Sequence, residues 1–219
     1  MIDPSKFLKN LKISGVNYFT GVPDSLLQDF CSCLEDQSTC CDHVLAANEG
    51  SAIALAIGHH LGTGDVPLVY MQNSGLGNAI NPLLSLANEQ IYSIPILLLI
   101  GWRGQPGLQD EPQHIMQGAI TMQMLNMLGI DQHVLSTETT VDEIRDLVHR
   151  TKKTSKPHAI VVRRNTFSKY PIRNLPETNE LICRERCIDL ILDASPTQTL
   201  FVCTTGKSSR ELFELRQKR

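Results

Sequence analysis

The segment Val44–Ser51, with the sequence VLAANEGS, places a single carboxylate, Glu49, between an apolar run and a run of helix formers. The next residues, Ala52–Ile57, read AIALAI and are therefore apolar on nearly every helical face. A helix at the protein surface would show a polar stripe, so this pattern predicts a buried helix that begins near Glu49. The short apolar run His43–Leu45 predicts the strand that leads into it.

The position of Glu49 has two interpretations. A glutamate at the start of a helix interacts favourably with the free N–H groups and the helix dipole, by about 0.3–1 kcal/mol. Alternatively, a carboxylate desolvated at a strand-to-helix junction has a raised pKa and can exchange a proton with a bound ligand. The first is the commoner case, and this segment alone leaves both open.

Apolar periodicity along the rest of the chain alternates between helix and strand. The predicted strands are 18–20, 43–45, 68–71, 96–100 and 159–162, and the predicted helices lie around 7–11, 26–30, 49–61, 78–88 and 141–148. Pro82 is compatible with the fourth of these helices only in its first turn. The alternation predicts an α/β fold, a parallel sheet with helices on both faces.

Ligands of such sheets bind beyond the carboxyl ends of the strands. Four segments are therefore expected on one edge of the sheet: Gly21–Ser25, Asn48–Glu49, Gln72–Gly77 and Gly101–His114. The last of these continues to Gln117 as a predicted long polar loop. Long loops within compact domains are usually either functional or disordered. His114 within this one is either an ordinary surface histidine, the commoner case, or a proton donor.

The chain changes character after residue 165. Residues 166–178 contain two prolines and predict a linker between a first domain, residues 1–165, and the start of a second α/β domain, residues 179–219. In this second part, Glu180–Leu192 predicts a helix and Thr199–Cys203 a strand. We expect the remainder of the second domain to be absent from the sequence.

Composition excludes several classes of protein. The 219 residues are 42% hydrophobic and 20% charged with a formal net charge of −3, which is typical of a globular protein and argues against general affinity for nucleic acid. The seven cysteines lack the spacing of a disulfide scaffold or a zinc site, which favours a reducing cytoplasm. The longest apolar run, Ile94–Gly101, is too short to span a bilayer. We expect a cytoplasmic protein with no membrane or nucleic-acid partner and no metal ligands of its own.

Two glycine-containing segments resemble nucleotide-binding motifs but fail at specific positions. Ser74–Asn81 follows a predicted strand, yet Ile80 stands where a dinucleotide fingerprint has its third glycine. Gly206–Ser208 matches the end of a P-loop, yet Phe201 stands where the first glycine belongs. The glycines of the first segment fit either a tight turn or close approach of the backbone to a planar ligand.

Four segments taken together resemble the phosphonopyruvate decarboxylases. They are Thr20–Leu27 (TGVPDSLL), Ala47–Gly50 (ANEG), Tyr70–Asn78 (YMQNSGLGN) and Asp110–His114 (DEPQH). The sulfopyruvate decarboxylases share much of this pattern. Both groups are thiamine-diphosphate-dependent decarboxylases, so the resemblance implies a carboxy-lyase in which residues 1–165 form the pyrimidine-binding domain.

The resemblance also implies roles for individual residues. Glu49 matches the glutamate that hydrogen-bonds N1′ of the aminopyrimidine and favours the imino tautomer, whose 4′ nitrogen removes the thiazolium C2 proton. Asp24 and His114 match acidic and imidazole groups near the reacting carbon, and we assign them to proton transfer after carbon dioxide leaves. The further expected cofactor-binding residues are Gln72, Asn73, Ser74, Gly75, Gly77 and Asn78, and the expected substrate-binding residues are Ser25, Arg103, Lys207 and Arg210.

The sequence departs from these enzymes in one respect. A second domain in the family holds the diphosphate through Mg²⁺ with a Gly-Asp-Gly segment and a downstream Asn, and the site lies between domains of two subunits. This sequence contains no Gly-Asp-Gly, and its nearest approach, Gly64–Pro67, reads GDVP. We therefore expect half an active site, with thiamine diphosphate and Mg²⁺ bound completely only in a homo-oligomer or with a partner chain that carries the diphosphate-binding domain.

Three functions follow from these observations. The first is thiamine-diphosphate-dependent decarboxylation of 3-phosphonopyruvate to phosphonoacetaldehyde, with a sulfopyruvate decarboxylase subunit as its near alternative. The second is a non-catalytic truncated homologue that dimerises with a full-length enzyme. The third is a nucleotide-binding oxidoreductase, which requires that NAD-type ligands, and not thiamine diphosphate, raise the melting temperature.

Overall fold

A computed structural model describes residues 1–171, 182–204 and 206–219. The chain divides into two units, Met1–Arg173 and Asn174–Arg219. The strands of the first unit are β1 (Phe19–Gly21), β2 (His43–Leu45), β3 (Leu68–Gln72), β4 (Leu97–Gly101), β5 (Asp131–Leu135) and β6 (His158–Val162). Its α-helices are α1 (Pro4–Ile13), α2 (Gln28–Gln37), α3 (Glu49–Thr63), α4 (Leu76–Pro82), α5 (Pro112–Met127) and α6 (Val141–Thr154).

All six strands are parallel and lie in the order β2-β1-β3-β4-β6-β5. The central strands are buried on both faces, because alternate side chains enter two separate cores. Leu97 and Leu99 of β4 pack with Phe7 and Phe30 on one face, whereas Leu98 and Ile100 enter the core that contains α3. The predicted α/β fold, a parallel sheet with helices on both faces, is confirmed.

The prediction that α3 is buried all round is wrong for this chain. Ala52, Ile53 and Ala56 are buried against the sheet, whereas Leu55 and Leu61 on the opposite side are exposed. A helix that packs on one face of a sheet can bury only one of its own faces, so apolar composition alone did not identify which residues contact the core. The outer face of α3 is apolar and accessible.

Two elements of the structure, α5 and β5, are not among those predicted from the sequence. Gly101–Gln117 was predicted to be a loop, but α5 begins at Pro112. Proline is favoured at the first position of a helix, because a backbone N–H at that position would have no hydrogen-bond partner within the helix and proline has no N–H. Apolar residues of α5 such as Ile115 and Met116 are exposed, which obscures helical periodicity. β5 is an edge strand with a polar sequence, DQHVL, and so lacks the apolar run that identified the central strands.

The expectation for Pro82 was also wrong. Pro82 is the last residue of α4 rather than part of a first turn, and a π-helical turn, Leu83–Ala87, follows it. A proline ring clashes with the carbonyl group four residues earlier, and a locally widened turn relieves that clash. The helix therefore continues past the proline with a changed hydrogen-bond register.

The second unit contains α7 (Arg184–Ala194) and α8 (Lys207–Gln217), joined by an ion pair in which Arg184 Nε lies 2.7 Å from Glu211 Oε2. The predicted strand at Thr199–Cys203 is wrong: these residues are irregular, since a strand needs a neighbour and the described part of this unit holds none. Residues 172–178 of the predicted linker and 180–181 of the predicted helix lie outside the described residues. The division into domains stays a prediction.

The stretch after β6 is held to the first unit by Phe167, whose ring lies 5.3 Å from that of Phe7 and 5.7 Å from that of Phe30. Phe167→Ala is expected to reduce the free energy of unfolding by about 3 kcal/mol or more, because it leaves a cavity beside the rings of Phe7 and Phe30. Urea unfolding measures this loss. Phe213→Ala, at a position that is 63% exposed, serves as the control. Equal stability of Phe167→Ala and the parent would contradict the packing described here.

Candidate active site

The predicted site segments meet at one edge of the sheet because all the strands that carry them are parallel. Asp24 follows β1, Glu49 follows β2, Gln72 ends β3 and Arg103 follows β4. β1 lies between β2 and β3, and β3 lies beside β4, so these four positions belong to consecutive strand ends. The fold brings four segments that are distant in sequence to one edge.

Glu49 is the first residue of α3 and is half-buried. Its Oε2 accepts a hydrogen bond from Asn78 Nδ2 at 2.8 Å. The carboxylate packs so closely on Gly75 that a Cβ atom there would lie 2.4 Å from Glu49 Oε1. A glycine at this position therefore makes space for the carboxylate, and the start of α4 holds it in place.

Asp24 is the most buried carboxylate of the edge, at 6% exposure. Its Oδ2 accepts a hydrogen bond from the Leu26 N–H at 3.1 Å, whereas its buried Oδ1 has no hydrogen-bond partner among the described residues. Burial raises the pKa of Asp24, an effect opposed by the Leu26 N–H and by the positive charges of Arg103 and His114. The result is a carboxyl group that retains a proton more readily than an exposed aspartate does.

Gly101 provides the space that Asp24 occupies, since a Cβ atom at this glycine would lie 2.0 Å from Asp24 Oδ2. Sequence reasoning did not identify Gly101 as a site residue. The available signal was a glycine at the carboxyl end of a fully buried strand, where close approach of another group is one reason for a glycine.

His114 lies in the first turn of α5 and is partly exposed, so the prediction that it belongs to a loop is wrong. His114 is one of the groups that lower the pKa of Asp24 against the effect of burial. Gly104, whose φ is +66°, packs against this turn of α5, since a Cβ atom at Gly104 would lie 1.8 Å from the His114 carbonyl oxygen. This contact keeps the first turn of α5 near the edge of the sheet.

Arg103 is fixed by a bidentate ion pair with Asp110 and by Ser25. Its Nε and Nη2 lie 2.9 and 2.5 Å from Asp110 Oδ2 and Oδ1, and its Nη1 donates to Ser25 Oγ at 2.8 Å. Asp110 also accepts the Gly104 N–H at 2.8 Å. The guanidinium group and these N–H donors hold the pKa of Asp110 well below its usual range. This network orders the segment between β4 and α5 and leaves Arg103 largely neutralised.

The Gln72–Asn78 segment contains both buried and exposed residues. Asn73 is 1% exposed, and its amide donates to the Arg103 carbonyl oxygen and to Thr121 Oγ1, both at 2.8 Å. Its side chain therefore joins two segments of the edge and does not face solvent. Gln72 donates to Ser74 Oγ at 2.6 Å, and Ser74, Gly77 and Asn78 are exposed.

Lys207 and Arg210, predicted as substrate ligands, lie in α8 of the second unit. Ser25 and Arg103 lie in the first unit and are hydrogen-bonded to each other. Within residues 1–171, 182–204 and 206–219, no group of three or more His, Cys, Asp or Glu is arranged to hold a metal ion. In the same ranges, no helix combines the length and the apolar character needed to cross a membrane.

The parallel sheet, with two carboxylates packed against glycines at its carboxyl edge, defines an α/β ligand-binding domain. Residues 6–136 match the family described as thiamine pyrophosphate enzyme, N-terminal TPP binding domain, and the chain belongs to this family. The resemblance found in the sequence is confirmed.

Curated relatives include the phosphonopyruvate decarboxylases of Streptomyces viridochromogenes and Streptomyces hygroscopicus, each 30% identical over 98% of this chain. The chain spans 57% of the length of each. The sulfopyruvate decarboxylase subunit alpha of Methanothermobacter thermautotrophicus is 30% identical over 65% of this chain, which covers 86% of that subunit. A benzoylformate decarboxylase from Polynucleobacter necessarius has a similar fold, with a TM-score of 0.55 and 18% identity over 88% of this chain and 36% of that one.

Asp24→Asn is expected to stabilise the folded chain at neutral pH, because it removes a buried charge with one unpartnered oxygen. The pKa of Asp24 is raised on folding. Ionisation of this carboxyl group therefore lowers the free energy of unfolding as the pH rises from the ordinary Asp pKa of about 3.9 through the raised value. The gain in the Asn variant should therefore appear at pH 7 and vanish below about pH 4. Urea unfolding at both pH values checks this, with the exposed substitution Asp146→Asn as control. A constant difference across the pH range would contradict it.

Proposed function

We propose that this chain supplies the pyrimidine-binding half of a thiamine-diphosphate-dependent decarboxylase that converts 3-phosphonopyruvate into phosphonoacetaldehyde and carbon dioxide. The observation that carries the proposal is the placement of Glu49. Its carboxylate is held between Asn78 and Gly75 at the ligand-binding edge of the sheet. The identity with two phosphonopyruvate decarboxylases over 98% of the chain supports this choice of substrate.

The residues of the edge fit the pyrimidine ring of the cofactor. The Glu49 carboxylate lies in the space left by the missing side chain of Gly75, and Gly77 permits close approach of the backbone to a planar ring. Glu49 would hold a proton shared with the ring nitrogen, and Asn78 would keep the carboxylate oriented. When bound, thiamine diphosphate supplies the nucleophilic carbon and the electron sink for decarboxylation.

Asp24 and His114 are assigned to proton transfer at the carbon that loses its carboxylate. A buried acid with a raised pKa and one unpartnered oxygen is suited to hold a proton and donate it to carbon. His114, in the first turn of α5, is partly exposed. Gly101 supports this role by allowing Asp24 to lie directly on the end of β4.

We also propose that a partner completes the site, a separate subunit with the diphosphate-binding domain and its Mg²⁺. The chain spans 57% of the two Streptomyces relatives. The outer face of α3, with Leu55 and Leu61 exposed, lies on the same helix as Glu49. A partner that covered this face would bury Leu55 and Leu61 as it completed the site.

A sulfopyruvate decarboxylase subunit is the second candidate function. The chain covers 86% of the Methanothermobacter thermautotrophicus subunit alpha, and is 40% identical over 91 residues to the corresponding subunit of Methanococcus maripaludis. These relatives are named as subunits, which favours a separate partner chain. The two substrates share a 2-oxo acid and differ in the terminal phosphonate or sulfonate group, so initial rates with each distinguish the candidates.

Glu49→Ala is expected to lower the rate of carbon dioxide release by 100-fold or more, roughly the contribution of one positioned proton-transfer group. The assay combines the chain with the diphosphate-binding partner, thiamine diphosphate, Mg²⁺ and 3-phosphonopyruvate. Glu138→Gln, at an exposed position before α6, is the matched control and should retain the parental rate.

Three measurements distinguish the alternatives. An unchanged rate of carbon dioxide release in Glu49→Ala would contradict the proposed mechanism. If the rate is unchanged and the chain also binds a full-length relative in a pull-down, the non-catalytic homologue is favoured. A rise in melting temperature with NAD-type ligands and none with thiamine diphosphate would instead favour the oxidoreductase.

A further inference from the structure

A second concave region lies beside the candidate active site, within the first unit. It is a pocket of about 300 Å³ that opens among the segments following β1, β4 and β6. Its lining residues are Met1, Ser25, Leu26, Gln28, Asp29, Arg103, Arg164, Asn165, Phe167 and Lys169. Among these residues, only Ser25 and Arg103 are expected from the sequence to bind substrate.

Positive charge dominates this pocket. Arg164 and Lys169 line it together with Arg103, which Asp110 already neutralises, and with one carboxylate, Asp29, whose Oδ1 accepts the Tyr170 N–H at 2.9 Å. Neither Arg164 nor Lys169 forms an ion pair with any residue that the structure describes; Arg164 makes only a long hydrogen bond, 3.4 Å, to the Gln109 carbonyl oxygen. Two exposed cations without an ion-pair partner in the described part of the chain favour an anionic ligand.

The segment that carries Arg164 and Lys169 is anchored on both sides. Ile2 donates its N–H to the Thr166 carbonyl oxygen at 2.7 Å and accepts the Ser168 N–H at 2.8 Å. The Tyr170 hydroxyl donates to Asp36 Oδ2 at 2.5 Å. Together with the buried ring of Phe167, these contacts hold the backbone that carries the two cations, so the pocket is formed before any ligand binds.

The pocket adjoins the assigned proton donor. Ser25, which lines the pocket, directly follows Asp24 and accepts a hydrogen bond from Arg103. We propose that this pocket binds the tetrahedral oxyanion at the far end of the substrate, through Arg164, Lys169 and Ser25, while the 2-oxo acid group reacts near Asp24. This inference rests on the proposed function and names the specificity determinants of the same site. Phosphonate and sulfonate tails are both tetrahedral oxyanions, whereas the methyl group of pyruvate carries no charge.

The test measures anion binding to the 219-residue chain, without turnover. Methylphosphonate, methanesulfonate and acetate are titrated at constant ionic strength, and amide chemical shifts are followed by NMR. Methylphosphonate should shift the resonances of Ser25 and Arg103 saturably. Arg164→Gln and Lys169→Gln should each weaken its binding about tenfold or more, the loss expected for a charge-assisted hydrogen bond. Arg163→Gln, an exposed neighbour outside the pocket, is the matched control and should change binding less than about twofold.

Three results would overturn the inference: no saturable binding of either tetrahedral anion, equal weakening in Arg163→Gln, or acetate binding as tightly as methylphosphonate. Comparison of methylphosphonate with methanesulfonate shows which tail the pocket prefers. In the assembled enzyme, Arg164→Gln should raise KM for 3-phosphonopyruvate about tenfold with a smaller change in kcat. If Glu49→Ala loses activity but the pocket variants behave as the parent, this inference alone fails. If the pocket binds anions but Glu49→Ala is fully active, the proposed function fails instead.

Discussion

The burial of the central strands on both faces is the constraint on which the rest of this structure depends. Leu97, Leu98, Leu99 and Ile100 of β4 have no access to solvent, so this central strand presents no polar side chain to a ligand. The polar residues of the candidate site therefore lie at or beyond the strand ends. Because every strand is parallel, the segments that follow β1, β2, β3 and β4 emerge at the same edge.

At that edge, glycines determine where carboxylates can lie. Glu49 occupies the space above Gly75, and Asp24 occupies the space above Gly101. Each glycine belongs to a different chain segment from the carboxylate it accommodates, so each contact also joins two loops. Asn73 and Asp110 act in the same way through hydrogen bonds, because Asn73 links the β3 and β4 ends and Asp110 fixes Arg103. The site is thus positioned by contacts among loops that rest on a rigid apolar sheet.

Much of the fold was predictable from local pattern. The strands β3, β4 and β6 are continuous apolar runs, and the Asn48–Glu49 step marks the start of α3, whose first turn is capped by the Asn48 side chain. The elements that escaped prediction lack such a pattern. β5 is a polar edge strand, α5 presents apolar residues to solvent, and Thr199–Cys203 is apolar enough for a strand but has no neighbour to pair with in the described part of its unit. A strand depends on its partner, and a local sequence window does not contain that partner.

The sequence by itself determined the parallel α/β class and the family to which the chain belongs, and it predicted the segments of the candidate site, because each of these is encoded in residues that are contiguous or nearly so. Only the tertiary structure decided which residues meet there. It brought Arg164 and Lys169 to the same pocket as Ser25 and Arg103, paired Arg103 with Asp110 and buried Asp24 against Gly101. These relations join residues separated by up to 144 positions, as for Ser25 and Lys169, and they exist only once the strand order has set which strand ends are neighbours.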